Sequence, residues 1–336
     1  MSEPQPDPSA AGDPSTRVPA ARVPAARVLG VDGGGTKTVA RLLEVGPDGR
    51  LCVLGSAAAA ASNPNSVGWD SAIAAVVQAC RGASGDSSPA DAAVAAIAGC
   101  AAEPARSRMA DLLSSAGLAR RCEAVADAAP LLAAAPTGQP AIALISGTGS
   151  SALARSANGA DTLLGGWGYL VGDDGSGLGL GRAAFRWAAQ QIDAARADEP
   201  PCDPLCQAVL AYAGAADAGG LKGSLYSAPS PRSWLAGLAP VVIRLAEAGD
   251  RSASSVVDEG ADALADLVLT AAGRVAEPDQ PRPRVLLAGG LLERSAYYRR
   301  LVAARLERCG WTAGRLTLAP DAATGCGLLA VRLLSR

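Results

Sequence analysis

The sequence contains no histidine. This removes the side chain most often used as a general base near neutral pH and excludes any His-ligated metal site. Acid–base chemistry must come from Asp, Glu, Cys, Lys or Tyr. Aromatics are scarce, with a single Phe in 336 residues. Lysine occurs only at Lys37 and Lys222, and arginine carries the rest of the positive charge. A net charge of -2 gives no electrostatic reason to expect a nucleic-acid or anionic-membrane partner. No uninterrupted apolar run reaches the roughly 18 residues of a membrane span. The N-terminal stretch lacks the charged start and apolar run of a secretory signal. These absences point to a cytoplasmic protein with no membrane anchor.

Eight cysteines are present: Cys52, Cys80, Cys100, Cys122, Cys202, Cys206, Cys309 and Cys326. They are scattered, which fits buried reduced thiols. Cys202 and Cys206 form the one close pair, in a Pro-rich stretch with no second pair at zinc-finger spacing.

What is abundant is Ala, Leu and Val. Hydrophobic residues make up 49% of the chain, enough to build the cores of two domains. Residues 1–27 read as a disordered tail, rich in Pro, Ser, Ala and Asp, that buries too little apolar surface to offset its ordering entropy. The folded part opens with strands at Val28–Val31 and Val39–Val45, a turn signal at Gly46-Pro47-Asp48-Gly49 and a third strand from Arg50 to Gly55. A helix over Ser71–Arg81, a strand over Ala92–Ala98, a helix over Glu103–Ala116 and a strand over Cys122–Ala126 follow, then another helix. The pattern restarts with strands at Ala141–Ser146 and Ser151–Arg155 and a tight turn at Asn158-Gly159. Helical spacing of Val257, Ala261, Leu264 and Val268, a strand at Val285–Ala288 and a closing helix at Ala322–Leu334 complete it. The expected fold is α/β, two duplicated domains with a cleft between them. The expected boundaries are 28–135 and 136–336, with the last helix able to pack back on the first domain.

Asp32-Gly33-Gly34-Gly35-Thr36-Lys37-Thr38 sits between the first two strands. Three glycines allow a tight turn and let an anion approach backbone N–H groups. Thr36, Lys37 and Thr38 can add donors, and Asp32 suits a hydrated Mg²⁺ bridging phosphate oxygens. A Walker pattern is absent, and the turn returns into a strand rather than opening the helix of a dinucleotide fingerprint. An ordinary Gly-rich hairpin is an equal reading of this stretch alone. A second turn of the same kind, Ser146-Gly147-Thr148-Gly149-Ser150, opens the second half and favours a nucleotide gripped by both.

Asp127 follows a strand, where ligands of α/β sheets gather. It is placed either to take a proton from a substrate hydroxyl or to cap a helix. Gly165 to Gly177 concentrates glycines, Trp167, Asp173 and Asp174. Such a loop suits sugar hydroxyls and an apolar sugar face, against a flexible surface loop or a core Trp. Ser62-Asn63-Pro64-Asn65-Ser66 reads as sugar-binding amides or a capped loop start. Gly289-Gly290 reads as a close approach for adenine or a helix-entry turn.

Together these motifs resemble the N-acetylglucosamine kinase-like branch of the BadF/BadG/BcrA/BcrD ATPase family, of the actin/hexokinase/Hsp70-type, ribonuclease H-like fold. The resemblance covers about Val28 to Leu334. It implies ATP contacts at Gly34, Gly35, Thr36, Lys37, Gly147, Thr148, Gly149, Ser150, Gly289, Gly290 and, more loosely, Ala236. It implies Mg²⁺ organised by Asp32, a catalytic Asp127, and sugar contacts at Asn63, Asp127, Gly166, Trp167, Gly168 and Asp173. The chain departs from the family at Ala98-Gly99-Cys100, where these kinases often carry Ser-Gly-Gly. The implied activity is ATP-dependent phosphorylation of the 6-hydroxyl of N-acetylglucosamine or a related sugar such as glucosamine, often by a homodimer. The alternatives are an ATPase activator of a radical dehydratase or reductase and a non-catalytic sugar-sensing ATP-binding protein. The activator's Cys-containing second turn is not found here.

Overall fold

Extended Ala-, Val- and Leu-rich runs pair into two five-stranded sheets of the same topology. The computed structural model describes residues 26–46, 50–85, 89–195, 203–276 and 280–335. In the first sheet β1 (Arg27–Gly33) lies antiparallel to β2 (Thr38–Val45), and β2 antiparallel to β3 (Leu51–Ala59). On the other side of β1 come β4 (Ala92–Ile97) and then β5 (Cys122–Val125), both parallel. Connections between them include α1 (Pro64–Val67), α2 (Trp69–Ser84) and α3 (Ala105–Ser115). The second sheet repeats this plan. Its β6 (Ala141–Ser146), β7 (Ser150–Arg155) and β8 (Asp161–Gly165) are antiparallel neighbours. Its β9 (Arg284–Ala288) and β10 (Leu316–Leu318) add in parallel beyond β6. This is the duplicated α/β fold expected from the sequence.

Between β8 and β9 run α4 (Gly177–Ala194), α5 (Pro204–Ala213), α6 (Ala218–Tyr226), α7 (Pro231–Glu247) and α8 (Arg251–Val275). Two more, α9 (Gly290–Arg294) and α10 (Ala296–Arg308), precede β10, and α11 (Ala322–Leu334) follows it. Apart from α9, each helix from α4 onward starts on a Ser or Asp whose side chain accepts the N–H three residues on, from Ser176 at α4 to Asp321 at α11. Such caps satisfy N–H groups that no helix can satisfy internally. Val257, Ala261, Leu264 and Val268 form the buried face of α8.

The chain divides into two compact units, one holding the described residues up to Pro136 and from Ala319 onward, the other Thr137–Leu318. In the first unit α11 packs against the sheet at unusually close range. A Cβ on Gly30 of β1 would lie 1.9 Å from the Ala323 carbonyl oxygen and 2.6 Å from the Gly327 nitrogen. The Cys326 thiol donates to the Val31 carbonyl at 3.0 Å. Arg41 of β2 holds Asp321 at 2.8 Å and the Thr324 hydroxyl at 2.9 Å. Leu328 and Val331 fill the space behind Val28 and Val94.

Several elements differ from expectation. The third strand runs on through an alanine stretch to Ala59, because pairing with β2 down to Thr38 overrides alanine's helical preference. The segment after Asp127 is one 3-10 turn, Ala129–Leu132, rather than an α-helix. Pro130 offers no N–H, and the bonds that form are the short i-to-i−3 ones of Ala129, Leu131, Ala133 and Ala135 to Ala126, Ala128, Pro130 and Leu132. Edge strands β8 and β10 are not among the expected strands, though the Asn158-Gly159 turn lies between β7 and β8. Buried Ala26 and strand residue Arg27 place the start of the fold inside the stretch read as tail. Residues 1–25, 47–49 of the Gly46–Gly49 turn, and Cys202 lie outside the described residues. The described cysteines form no disulfide.

Gly30→Ala should lower the melting temperature, because backbone of α11 rather than a pliable side chain must move; overpacking of this kind costs about 1–3 kcal/mol. Gly273→Ala, in the exposed last turns of α8 with open space around it, should instead stabilise by up to about 1 kcal/mol. Thermal melts of the two variants check the pair; a Gly30→Ala protein as stable as the parent would show that the close contact carries no weight.

Candidate functional site

In the first unit β1, β3, β4 and β5 run in one direction, so their carboxyl ends share one edge of the sheet. The turn after β1 is closed by the Gly34 N–H donating to the Lys37 carbonyl, and the Ser62 N–H donates to the Gly34 carbonyl, each at 3.0 Å. Gly35, Thr36 and Lys37 are left exposed. Thr38 is not: its buried hydroxyl donates to the Ala60 carbonyl at 2.7 Å, which takes it out of the expected donor set. Gly33 must be glycine, since a Cβ there would lie 2.1 Å from Ser62 Oγ.

Asn63 Oδ1 accepts the Asn65 N–H and caps α1, leaving the amide nitrogen to donate elsewhere. Gly99, at φ 89°, gives Asn63 its room: a Cβ would sit 2.5 Å from Asn63 Oδ1. Thus the Ala98-Gly99-Cys100 departure retains the glycine that the Asn63 side chain needs. Asp127 is exposed beyond β5, and the 3-10 turn that follows starts from Ala128 with no side-chain cap, so the helix-cap reading fails. Burial raises the Asp32 pKa above the usual carboxylate value, the charges of Asp127 and Asp321 raise it further, and Lys37 opposes them. Asp321 escaped the sequence reading. Its position before α11 marks a cap, but nothing local shows that α11 returns to β1.

In the second unit the Gly147–Ser150 turn is tied to the loop ahead of α4. Ser146 Oγ donates to the Gly175 carbonyl at 2.9 Å, and Ser150 Oγ to the Asp174 carbonyl at 2.8 Å. Gly177 and Leu178 N–H groups donate to the carbonyls of Gly147 and Thr148. Tyr298 of α10 adds a second hydroxyl on Gly175, at 2.9 Å. The hydroxyls of Ser146 and Ser150, which the sequence alone would offer to an anion along with that of Thr148, are therefore engaged internally, while Thr148 stands exposed. A cavity of about 650 Å³ extends from Gly147 and Thr148 past Ala236 and Pro240 of α7 to Gly290 and Arg294. Pro240 has no N–H to give the Ala236 carbonyl four residues back, so the helix leaves that acceptor short of its usual bond. Gly289 is a helix-entry residue, at φ 92° and packed onto Ser146, with its N–H on Glu293 Oε1; Gly290, not Gly289, faces the cavity. Pro240 and Arg294 were not anticipated; only their three-dimensional neighbours identify them.

The Gly165–Gly177 loop bends through positive φ at Gly165, Gly166, Gly168 and Gly175. Trp167 is 80% exposed, which removes the core reading. Gly166, Trp167 and Asp173 line a second concavity of about 810 Å³ with Asp266 and Thr270 of α8; Gly168 does not line it. Asp174 is held by Arg182 at 2.8 Å. Asp173 is the one described non-glycine residue at positive φ, 66°, and is only 6% exposed. Its Oδ1 accepts the Ser150 N–H at 3.0 Å, and a Cβ on Gly149 would strike that oxygen. Its Oδ2 is buried without a hydrogen bond and faces Arg232 Nη2 at 3.9 Å.

The raised pKa of Asp32 has a consequence for stability. A carboxylate whose folded pKa exceeds its unfolded value destabilises the fold when ionised, fully above the raised pKa and not at all once both states are protonated, below about pH 4. Asp32→Asn should raise the melting temperature at pH 7–8, with the gain shrinking to nothing in acid. A gain that persists at acid pH would assign the effect to something other than charge.

The sequence model of the BadF/BadG/BcrA/BcrD ATPase family matches residues 29–308. An N-acetyl-D-glucosamine kinase from Dictyostelium discoideum is 27% identical over 192 residues, 56% of this chain and 59% of that protein. An N-acetylmuramic acid/N-acetylglucosamine kinase from Clostridium acetobutylicum is 36% identical over 83 residues, 25% of this chain and 27% of that one. The matches thus span less than two thirds of these curated relatives. A solved structure of a proposed N-acetylglucosamine kinase from Chromobacterium violaceum is 27% identical with a TM-score of 0.61, covering 91% of this chain and 99% of that one. A ROK family glucokinase from Streptomyces griseus, solved with glucose and AMPPNP, shares the fold at a TM-score of 0.53 and 17% identity, over 91% of this chain and 99% of that one. Two sheets of one topology, each opening on a glycine turn, together with a match over most of the length, establish that this chain belongs to the BadF/BadG/BcrA/BcrD ATPase family.

Proposed function

We propose that this protein is an ATP-dependent kinase that phosphorylates the 6-hydroxyl of N-acetylglucosamine or a related amino sugar such as glucosamine. The observation that carries the reading is the cavity that begins at exposed Thr148 of the second glycine turn and ends at Gly290. It suits a nucleotide with its phosphates on the turn and its base against Gly290. The relatives named as N-acetylglucosamine kinases supply the sugar.

In this reading Gly147, Thr148, Gly149 and the backbone of Ser150 take phosphate oxygens, as do Gly34, Gly35, Thr36 and Lys37 of the first turn. Ala236 and Gly290 border the nucleoside, and Gly289 sets the entry angle of α9. Asn63, Gly166, Trp167 and Asp173 hold the sugar, Trp167 covering an apolar face, and Gly168 gives the loop the bend that follows Trp167. Asp127 accepts the proton of the sugar hydroxyl while that oxygen bonds to the terminal phosphorus. The bond from phosphorus to the bridging oxygen breaks, and ADP leaves with the electron pair. Transfers of this kind depend on positioning and charge neutralisation more than on a strong base. The residues at Asp32 fit Mg²⁺ held through water. The carboxylates of Asp127 and Asp321 surround Asp32 with negative charge, while the described residues offer no set of three ligands close enough to cage an ion directly. The ion, when bound, would neutralise phosphate charge.

A coupled ADP-release screen over N-acetylglucosamine, glucosamine, N-acetylmuramic acid, N-acetylmannosamine and glucose tests the activity, with the first two expected to turn over fastest. Asp127→Asn should cut turnover by roughly 10²–10⁴-fold while sugar affinity stays within about threefold. Unchanged turnover would remove Asp127 from the role.

A further inference from the structure

We propose that Arg232 is a further catalytic residue, whose guanidinium contacts the terminal phosphate of the nucleotide at the second glycine turn. The inference rests on the kinase reading and names a residue which that reading does not use. Arg232 is the second residue of α7, and Ala236, one turn further along the same helix face, borders the cavity beside Gly147 and Thr148. Its side chain is half-exposed. Its charged partner, Asp173, is bonded to the Ser150 N–H on one oxygen and lies beyond hydrogen-bond reach of Arg232 on the other, at 3.9 Å.

This pairing is incomplete in a way that invites a ligand. Asp173 is almost fully buried, strained in backbone conformation, and has an oxygen with no hydrogen-bond donor. Strain and orphaned buried polar atoms persist where surrounding structure enforces them, and they gather at ligand sites. At 3.9 Å the contact falls short of the bidentate geometry in which a guanidinium and a carboxylate bind best. Instead the guanidinium hangs near the turn with donors to spare. The nearby Arg182 is already committed to Asp174 and to the carbonyls of Tyr169 and Gly172. Arg244 and Arg294 line the cavity itself, while Arg232 is the arginine that faces Asp173 beside the Ser150 end of the turn, so it adds a cation where the carboxylate meets the phosphate cradle. A sugar hydroxyl donating to Asp173 Oδ2 would complete the carboxylate and leave Arg232 to the phosphate, so the two substrates would favour each other's binding.

The test compares Arg232→Gln and Arg232→Lys with the parent, using the full chain and thermal melts to verify folding. Affinities for AMPPNP, for ADP and for sugar alone are measured by calorimetry, beside turnover. A phosphate contact predicts that Arg232→Gln weakens AMPPNP about tenfold or more, ADP less than threefold and sugar hardly at all, with turnover down roughly 10²-fold or more and partial rescue by Lys. Loss of sugar affinity with AMPPNP unchanged would overturn the proposal, leaving Arg232 as a support for Asp173. Unchanged affinities and turnover would overturn it as well. If the parent binds AMPPNP but phosphorylates no sugar, the kinase reading fails while the selective loss of AMPPNP still supports the contact.

Discussion

The second unit depends on the fastening of the Gly147–Ser150 turn to the Asp173–Leu178 segment. Carbonyls of the turn receive the first N–H groups of α4, its serines donate to the loop, and the loop returns Asp173 to the Ser150 N–H. A glycine-rich turn has much conformational freedom to lose, and these buried bonds restrict it to one shape. Gly149 leaves no space for a side chain against Asp173, and Gly177 sits tightly against the Gly147 carbonyl. The turn that would hold phosphate and the loop that would hold sugar therefore form one rigid object. A displacement on one side is felt on the other.

The first unit has the same strand order but a looser turn, braced by Ser62 behind it while Gly35 to Lys37 face outward. Its distinguishing feature is charge. Asp32, Asp127 and Asp321 lie near enough to raise the Asp32 pKa, with Lys37 offsetting them in part. The second turn has arginines nearby instead, with Arg182 on Asp174 and Arg232 facing Asp173.

Strand cores and turn positions were legible because their signals are local. Apolar runs bounded by glycines read as β1, β4, β6 and β9, and both glycine turns stood out by composition alone. Asp127 at a strand end and Asp173 in its loop were likewise visible. What escaped depends on contacts distant in sequence. Thr38 reads as a donor until Ala60 is seen beside it. Ser146 and Ser150 read as free hydroxyls until the loop some 25 residues later is placed against them. Asp321 is marked locally only as a cap, Pro240, Arg294 and Arg232 carry no local mark, and only the packing of α7, α9 and α11 gives them further meaning. Edge strands β8 and β10 escaped because one is exposed and the other spans only Leu316–Leu318.

The chain leaves the first unit at Pro136 and re-enters it at Ala319. On a ribosome, the sheet made first is thus the one finished last. Until α11 emerges, the apolar face around Val28, Leu43 and Val94 lacks Cys326, Leu328, Ala330 and Val331, although every strand of that sheet already exists. The nascent protein must carry a sticky half-built lobe through the synthesis of the whole second one. That interval is when a holding chaperone would matter most, and a message stalled late in translation would release a product with its second lobe whole and its first unsealed.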